Sequence, residues 1–383
     1  MRSLGCKERL TLTTLETVLK HCTKYEPLER PSMEKVVSRL EKIIQATEAV
    51  PAKSKESGLT TRSLPTVMSK GTGTVANPWA AGSRVARCFE TFASRLEDAE
   101  SRQKLDELTM EVSKRLGPKM SAGVYNPARL FRFLCWNEMD VADTTSAVVV
   151  NKNARDEYKM DSMRERIVSE DLSFHTLPRA AAFQKYAPYN PFLGRSKGGH
   201  VFDYFNYGDA ADFQGLREAF SVEEYTEFLL FSTELYLLAV DALSAIEARD
   251  IPSATFYDLS GGSLAKLFGM LEYLQLGSAA LRNEPSYGGS SIAFVVNVPL
   301  HWKMILDMLA AGSGYKFDAR LLPPGTSLRE EAAVTDVVEV SMLPKAIGGD
   351  ALSVDENGET DERCCAGFKH WRISAFIEGL ESS

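Results

Sequence analysis

The sequence is poor in the residues that most often do chemistry, and those it has are badly spaced for it. Its five histidines, at 21, 175, 200, 301 and 370, lie far apart and form no metal-ligand spacing. The six cysteines, at 6, 22, 88, 135, 364 and 365, include no C-x-x-C pair. A disulfide framework and a zinc site are thereby excluded, and a reducing compartment is expected. There is no G-x-x-x-x-G-K-[ST] phosphate loop and no G-x-S-x-G nucleophile elbow. Positive charge is also short. The formal net charge of -8 argues against a nucleic-acid platform. No run of eighteen uninterrupted apolar residues occurs, and Met1 to Arg9 lacks an apolar core of signal-peptide length. The expectation is a soluble, cytoplasmic chain with no catalytic residues, no cofactor and no metal.

What is present suits a globular protein with extensions. Apolar residues make up 44% and charged residues 25% of 383 positions, enough for a sizeable core. The charge is uneven: residues 1–75 carry 13 Lys/Arg against 8 Asp/Glu, while the remainder carries 31 against 44. Composition and pattern divide the chain into a helical segment at 1–49, a flexible linker at 50–82, a helical region at 83–199, an α/β region at 200–349 and an acidic tail with a possible terminal helix (368–380) at 350–383. The linker is rich in Ser, Thr, Lys, Gly and Pro and has no apolar period.

The helical parts read from apolar spacing. Pro31 at a first helical position is followed by Met33, Val36, Val37, Leu40, Ile43 and Ile44. Cys22 to Glu41, with Arg30-Pro-Ser32, resembles the last helices of a tyrosine-kinase-like protein kinase domain. The Gly-rich loop, the strand lysine and the His-Arg-Asp and Asp-Phe-Gly words are all missing, so the resemblance implies a remnant of a kinase fusion that cannot transfer phosphate. Further on, Val85, Cys88, Phe89, Phe92, Leu96, Leu105, Leu108, Val112 and Leu116 recur at threes and fours, predicting one long helix or two before Gly117-Pro118. Pro127 opens a short helix, a turn falls at 137–140, and a second helix follows.

The α/β region organises around 252–317. Val201 to Tyr207 alternates as a strand and stops at Gly208. Ser221-Val-Glu-Glu224 is a capping box, and the helix it starts runs to about Arg249 with a broad apolar face. Ser253 to Leu259 and Ser291 to Pro299 read as strands, and Val334 to Val340 as a later one. Alternation of helix and strand predicts an α/β fold: a mostly parallel sheet with flanking helices, behind an N-terminal helical subdomain. Leu300 to Ala310 is apolar on more than one face through Trp302, Met304, Ile305, Met308 and Leu309, so it is either buried or touches lipid.

Five short words in this region occur in a telling order. They are Arg132-Phe-Leu134 with Met139-Asp-Val-Ala142, Gly198-Gly-His-Val201, Asp258-Leu-Ser-Gly-Gly-Ser263, Asn297-Val-Pro299 and Leu343-Pro-Lys-Ala-Ile-Gly-Gly349. Over roughly residues 120–349 the chain resembles the CRAL-TRIO lipid-binding proteins, which include phosphatidylinositol/phosphatidylcholine carriers. The resemblance implies an apolar pocket enclosed by sheet and helices. It implies that Ser253 and Thr255 meet a choline-type headgroup and that Lys316 follows the gate. It also marks departures. Cys135 and Asn137 stand where the family writes arginines, which weakens a basic edge. Gly288 stands where inositol-lipid carriers place a Glu, so an inositol hydroxyl would lose an acceptor, a difference of order 1–3 kcal/mol.

The strand pattern adds candidate pocket liners: Thr255 and Tyr257 from one strand, and Ile292, Phe294 and Val296 from the next, taken as facing one side. The 300–310 segment would be the gate, through Trp302, Ile305 and Met308, with Gly312 and Gly314 as hinge and His301 as an interfacial or packing residue. The expected function is reversible binding of a phospholipid or other hydrophobic small molecule, with transient contact to a membrane surface, for transfer or sensing. The competing class is a non-catalytic adaptor with a degenerate pocket, its protein partner unknown.

Overall fold

The computed structural model describes residues 83–121, 123–174, 176–196, 198–263, 266, 291–298, 318–350, 353–354 and 360–361. The kinase-like segment, the linker, the gate segment and the possible terminal helix lie outside the described residues. What is described belongs to one compact unit within 74–383.

The unit begins with helices. The apolar period at 83–116 becomes three of them: α1 (Arg84–Glu90), α2 (Phe92–Arg95) and α3 (Ala99–Leu116). Ser83 caps α1 by accepting from the Ala86 N–H at 3.0 Å, and Asp98 caps α3. The next helix, α4 (Pro127–Trp136), carries Pro127 in its first turn and is capped by Asn126. After the turn come α5 (Val141–Tyr158) and α6 (Met160–Ser169), and then the short α7 (Ala180–Tyr186).

A five-stranded sheet follows in the order β1-β2-β3-β4-β5. Strands β2 (Val201–Asn206), β3 (Ser253–Asp258), β4 (Ile292–Val296) and β5 (Asp318–Leu321) are parallel neighbours. The α/β architecture with a mostly parallel sheet is therefore present. Two strands were not expected. The first is β1 (Tyr189–Arg195), which pairs antiparallel with β2 at one edge and carries Pro191, a residue a sheet tolerates at an edge. The second is β5, which takes the place expected of Val334 to Val340. That stretch is instead the one-turn helix α10 (Ala332–Thr335) and a 3-10 turn at Val340–Met342. Its valines are apolar and β-branched, which is why they read as a strand. Their burial comes from packing against one face of the sheet: Val334, Val337 and Val338 join one core with Phe256, Phe294 and Leu343. Part of the acidic tail also pairs, with Ser353–Val354 antiparallel to Thr360–Asp361.

Between β2 and β3 run α8 (Phe213–Ala219) and the 26-residue α9 (Val222–Glu247), whose capping box at Ser221 and Glu224 is formed in both directions. By length and hydropathy α9 could cross a membrane, but most of it is buried inside the protein. It also holds two buried acids that explain its place. Arg132 of α4 and Arg164 of α6 pair with Asp241 at 3.1 and 3.2 Å, and Arg155 of α5 pairs with Glu234. Arg129 stands 3.9 Å from each acid. Burial alone would raise the Glu234 carboxyl, but Arg155 and Arg129 outweigh it and hold it well below its ordinary range. Arg132 is thus an internal pairing residue and not part of an exposed basic edge. These pairs fix α9 against the helical region, and its other side lies on the sheet.

Candidate functional site

Adjacent strands in register point opposed side chains to the same face, so the ladder decides which residues share a surface. Tyr257 is paired with Val295, and Phe256 with Phe294. Thr255 and Tyr257 therefore share a face with Ala293 and Val295. Phe294 and Val296 point the other way. The expectation that all of them line one surface is corrected by this register. It failed because each strand alternates correctly by itself, while the offset between strands is not written in either.

The two faces have different neighbours. Phe294 and Val296, with Phe202, Tyr204, Ala254 and Phe256, pack under Leu328, Val334, Val338 and Leu343 of the C-terminal segment. Phe256 and Phe294 stack there with centroids 4.7 Å apart, and Ile292 packs against this core. On this side a hollow of about 10 Å³, lined by Val296, Asn297 and Leu322 among others, has room for one water at most. Phe294 and Val296 are core residues.

The opposite face, toward α9, is built in rows. One row runs Tyr189–Phe205–Tyr257–Val295–Leu321 across all five strands. Tyr189 stacks on Phe205 at 4.1 Å and Phe205 on Tyr257 at 5.2 Å, while Tyr207 stacks beside Tyr257 at 5.7 Å. Tyr257, Phe205, Val295 and Leu321 remain partly exposed. The next row is Asp203–Thr255–Ala293–Ala319, and three of its four side chains are small. The row after it holds Arg195, Val201 and Ser253. Along β3–β5 a row of large apolar side chains thus lies beside a row of small ones, and this stepped strip is called the trough.

The trough has a polar end. Ser253 Oγ lies 2.8 Å from Ser291 Oγ, and Tyr236 of α9 hydrogen-bonds with Ser253. Burial drives the Tyr236 hydroxyl well above its ordinary range. Asp203 Oδ2 accepts from the Tyr189 hydroxyl at 3.3 Å. Burial pushes the Asp203 carboxyl up to about 7, only partly offset by the hydroxyls of Thr255 and Tyr189. Asp203 and Phe205 were missed from the sequence, although an acid inside the alternating run Val201 to Tyr207 was the available signal.

The strand ends are tied by Asp258. It accepts from Asn297 Nδ2 at 2.9 Å, the Tyr204 hydroxyl at 3.0 Å, the Ser260 N–H at 2.9 Å and the Ser260 hydroxyl at 3.1 Å. Gly208 at the end of β2 lies so close to this turn that an added Cβ would fall 1.9 Å from Ser260 O. Leu259 to Ser263 is therefore a packed strand-end turn. Trp302, Ile305, Met308, Lys316 and Gly288 lie outside the described residues. Among the described residues no group of His, Cys, Asp and Glu could hold a metal ion.

Comparison with protein-family models finds no match, and comparison with curated protein sequences finds none either. Among solved structures, the chain is similar to the crystal structure of Sfh5. The two share 12% identity over 62% of this chain and 85% of that one, with a TM-score of 0.45.

Proposed function

We propose that this chain binds a phospholipid or other hydrophobic molecule reversibly against the α9-facing side of its sheet, for lipid transfer or lipid sensing at membranes. The observation that carries the reading is the apolar row Tyr189–Phe205–Tyr257–Val295–Leu321 beside the small row Thr255–Ala293–Ala319. A hydrophobic ligand needs an apolar, preshaped surface with few polar contacts, and this face supplies both. The CRAL-TRIO resemblance of the sequence agrees with it. In this reading Ser253, Thr255 and Tyr257 meet the ligand, and the 300–310 segment with Trp302, Ile305 and Met308, followed by Lys316, closes over it. The role is non-enzymatic, cytoplasmic and transiently peripheral at membranes.

A second reading is a non-catalytic adaptor whose site is filled by its own side chains. It is favoured by the contact of Tyr236 with Ser253, which occupies one of the two expected headgroup hydroxyls. Native mass spectrometry of the full chain purified from cells separates the two. A co-purifying lipid supports binding. A ligand-free protein that also fails to take fluorescent lipid from vesicles sinks the lipid reading and leaves the adaptor.

A further inference from the structure

The trough holds one polar group whose arrangement differs from that of a structural carboxylate. Asp203 is 2% exposed; its Oδ2 accepts from the Tyr189 hydroxyl at 3.3 Å, and the Thr255 hydroxyl also hydrogen-bonds its carboxyl. Its Oδ1 makes no hydrogen bond among the described residues. Asp258 on the opposite face is the internal comparison: both its oxygens are used, and four hydrogen bonds converge on it. Buried polar atoms are nearly always satisfied, so an open carboxyl oxygen points to a partner other than the protein itself. Small side chains border this residue. Asp203 is in register with Thr255, and the row continues through Ala293 and Ala319. The aromatic row lies on one side of it and the Ser253–Ser291 hydroxyls on the other.

We propose that Asp203 is the polar anchor of this site, hydrogen-bonding through Oδ1 to an uncharged oxygen at the end of a hydrophobic ligand and so selecting neutral ligands over anionic ones. The inference rests on the lipid reading above and names its ligand class. The groups that face Asp203 are Tyr189 from β1, Tyr207 from β2, Thr255 from β3 and Tyr236 from α9, and none carries charge near neutral pH. Arg195, the cation in the adjoining row of this face, is paired with Glu247, so an anionic end would meet no uncompensated cation among these groups. A protonated Asp203, favoured below about pH 7, offers a donor to an alcohol or carbonyl oxygen. A cationic end would require the ionised carboxylate in a desolvated setting.

The test uses the full chain and displacement of Nile red, a neutral apolar dye, by three twelve-carbon probes: 1-dodecanol, dodecanoate and dodecylammonium. At pH 6 dodecanol is expected to bind at least tenfold more tightly than dodecanoate. The preference should shrink severalfold at pH 8.5. Asp203→Asn, which keeps a donor, should retain dodecanol binding and lose its pH dependence. Asp203→Leu should keep dye binding and lose the alcohol preference. Equal affinities for alcohol and acid in the native chain would overturn the proposal, as would tightest binding of the amine or an unchanged preference in the Leu variant. If the dye and all three probes fail to bind, the lipid reading itself fails. If the dye binds without end-group selectivity, only the role of Asp203 fails. Circular dichroism of each variant checks folding, and the Asn variant carries the test should the Leu variant not fold.

Discussion

Asn297 donates its side-chain amide to Asp258 Oδ1 at 2.9 Å, and so joins the end of β4 to the end of β3. Asn297 takes a left-handed backbone conformation (φ 58°), one that Asn tolerates better than most residues. The same carboxylate holds Ser260 and the Tyr204 hydroxyl. Three parallel strands thus end at one anion. Asp258→Ala is expected to destabilise the protein by roughly 3 kcal/mol, because several hydrogen bonds to a charged acceptor are lost together. Urea unfolding measures it, and a loss below about 1 kcal/mol would mean that the strand ends are held by packing alone.

The two faces of the sheet should respond differently to truncation. Phe294→Ala removes a fully buried ring from the stack with Phe256 and should cost about 3–5 kcal/mol. It should leave ligand selectivity unchanged. Tyr257→Ala, at a partly exposed position in the apolar row, should cost less stability and weaken Nile red binding severalfold. Parallel unfolding and displacement measurements on both variants check this, and the reverse pattern would move the site to the other face.

The pH dependence of stability carries a signature of Asp203. Its folded pKa is raised from 3.8 to about 7, so the folded protein holds that proton more tightly than the unfolded chain. The stability linked to it is full at low pH and falls as pH rises from the unfolded value through the folded one. Asp203→Asn cannot ionise and escapes this fall. Between pH 5 and pH 8 the variant should gain roughly 3 kcal/mol relative to the native chain. Urea midpoints at the two pH values give the difference, and parallel stability curves would refute it.

The buried arginine cluster predicts a different acid response. Glu234 is held below its ordinary range, so its contribution is present above about pH 4.5 and is lost as pH falls through the folded value. Removing the carboxylate by Glu234→Ala leaves Arg155 without that internal anion and should destabilise by about 3–5 kcal/mol at pH 7. Thermal unfolding would read it. Exposed pairs such as Lys104–Glu100 should contribute little by comparison.

Much of the fold was legible locally. The capping box at Ser221, Pro127 in the first turn of α4, and the alternation in Val201–Asn206 and Ser253–Asp258 are each short-range signals, and each element stands where it was expected. The valines of 334–340 misled because β-branching records burial as well as strand, and packing against Phe256 and Phe294 supplied the burial instead. β1 was not seen, because a strand that holds Pro191 and pairs only at an edge has a weak pattern of its own. The acids of α9 drew no reading from the sequence, yet Glu234 and Asp241 meet arginines from three separate helices.

What the sequence determined by itself is the kind of protein this is. Helix caps and strand periods act over a few residues, and they specify an α/β chain with a helical region before it. Only the tertiary structure decided which residues form the site. A one-residue change in pairing moves every side chain to the other face, and no single strand contains that information. The register set Tyr257 against Val295 and sent Phe294 to the core. It also brought Asp203 level with Thr255, which lies 52 positions further along the chain.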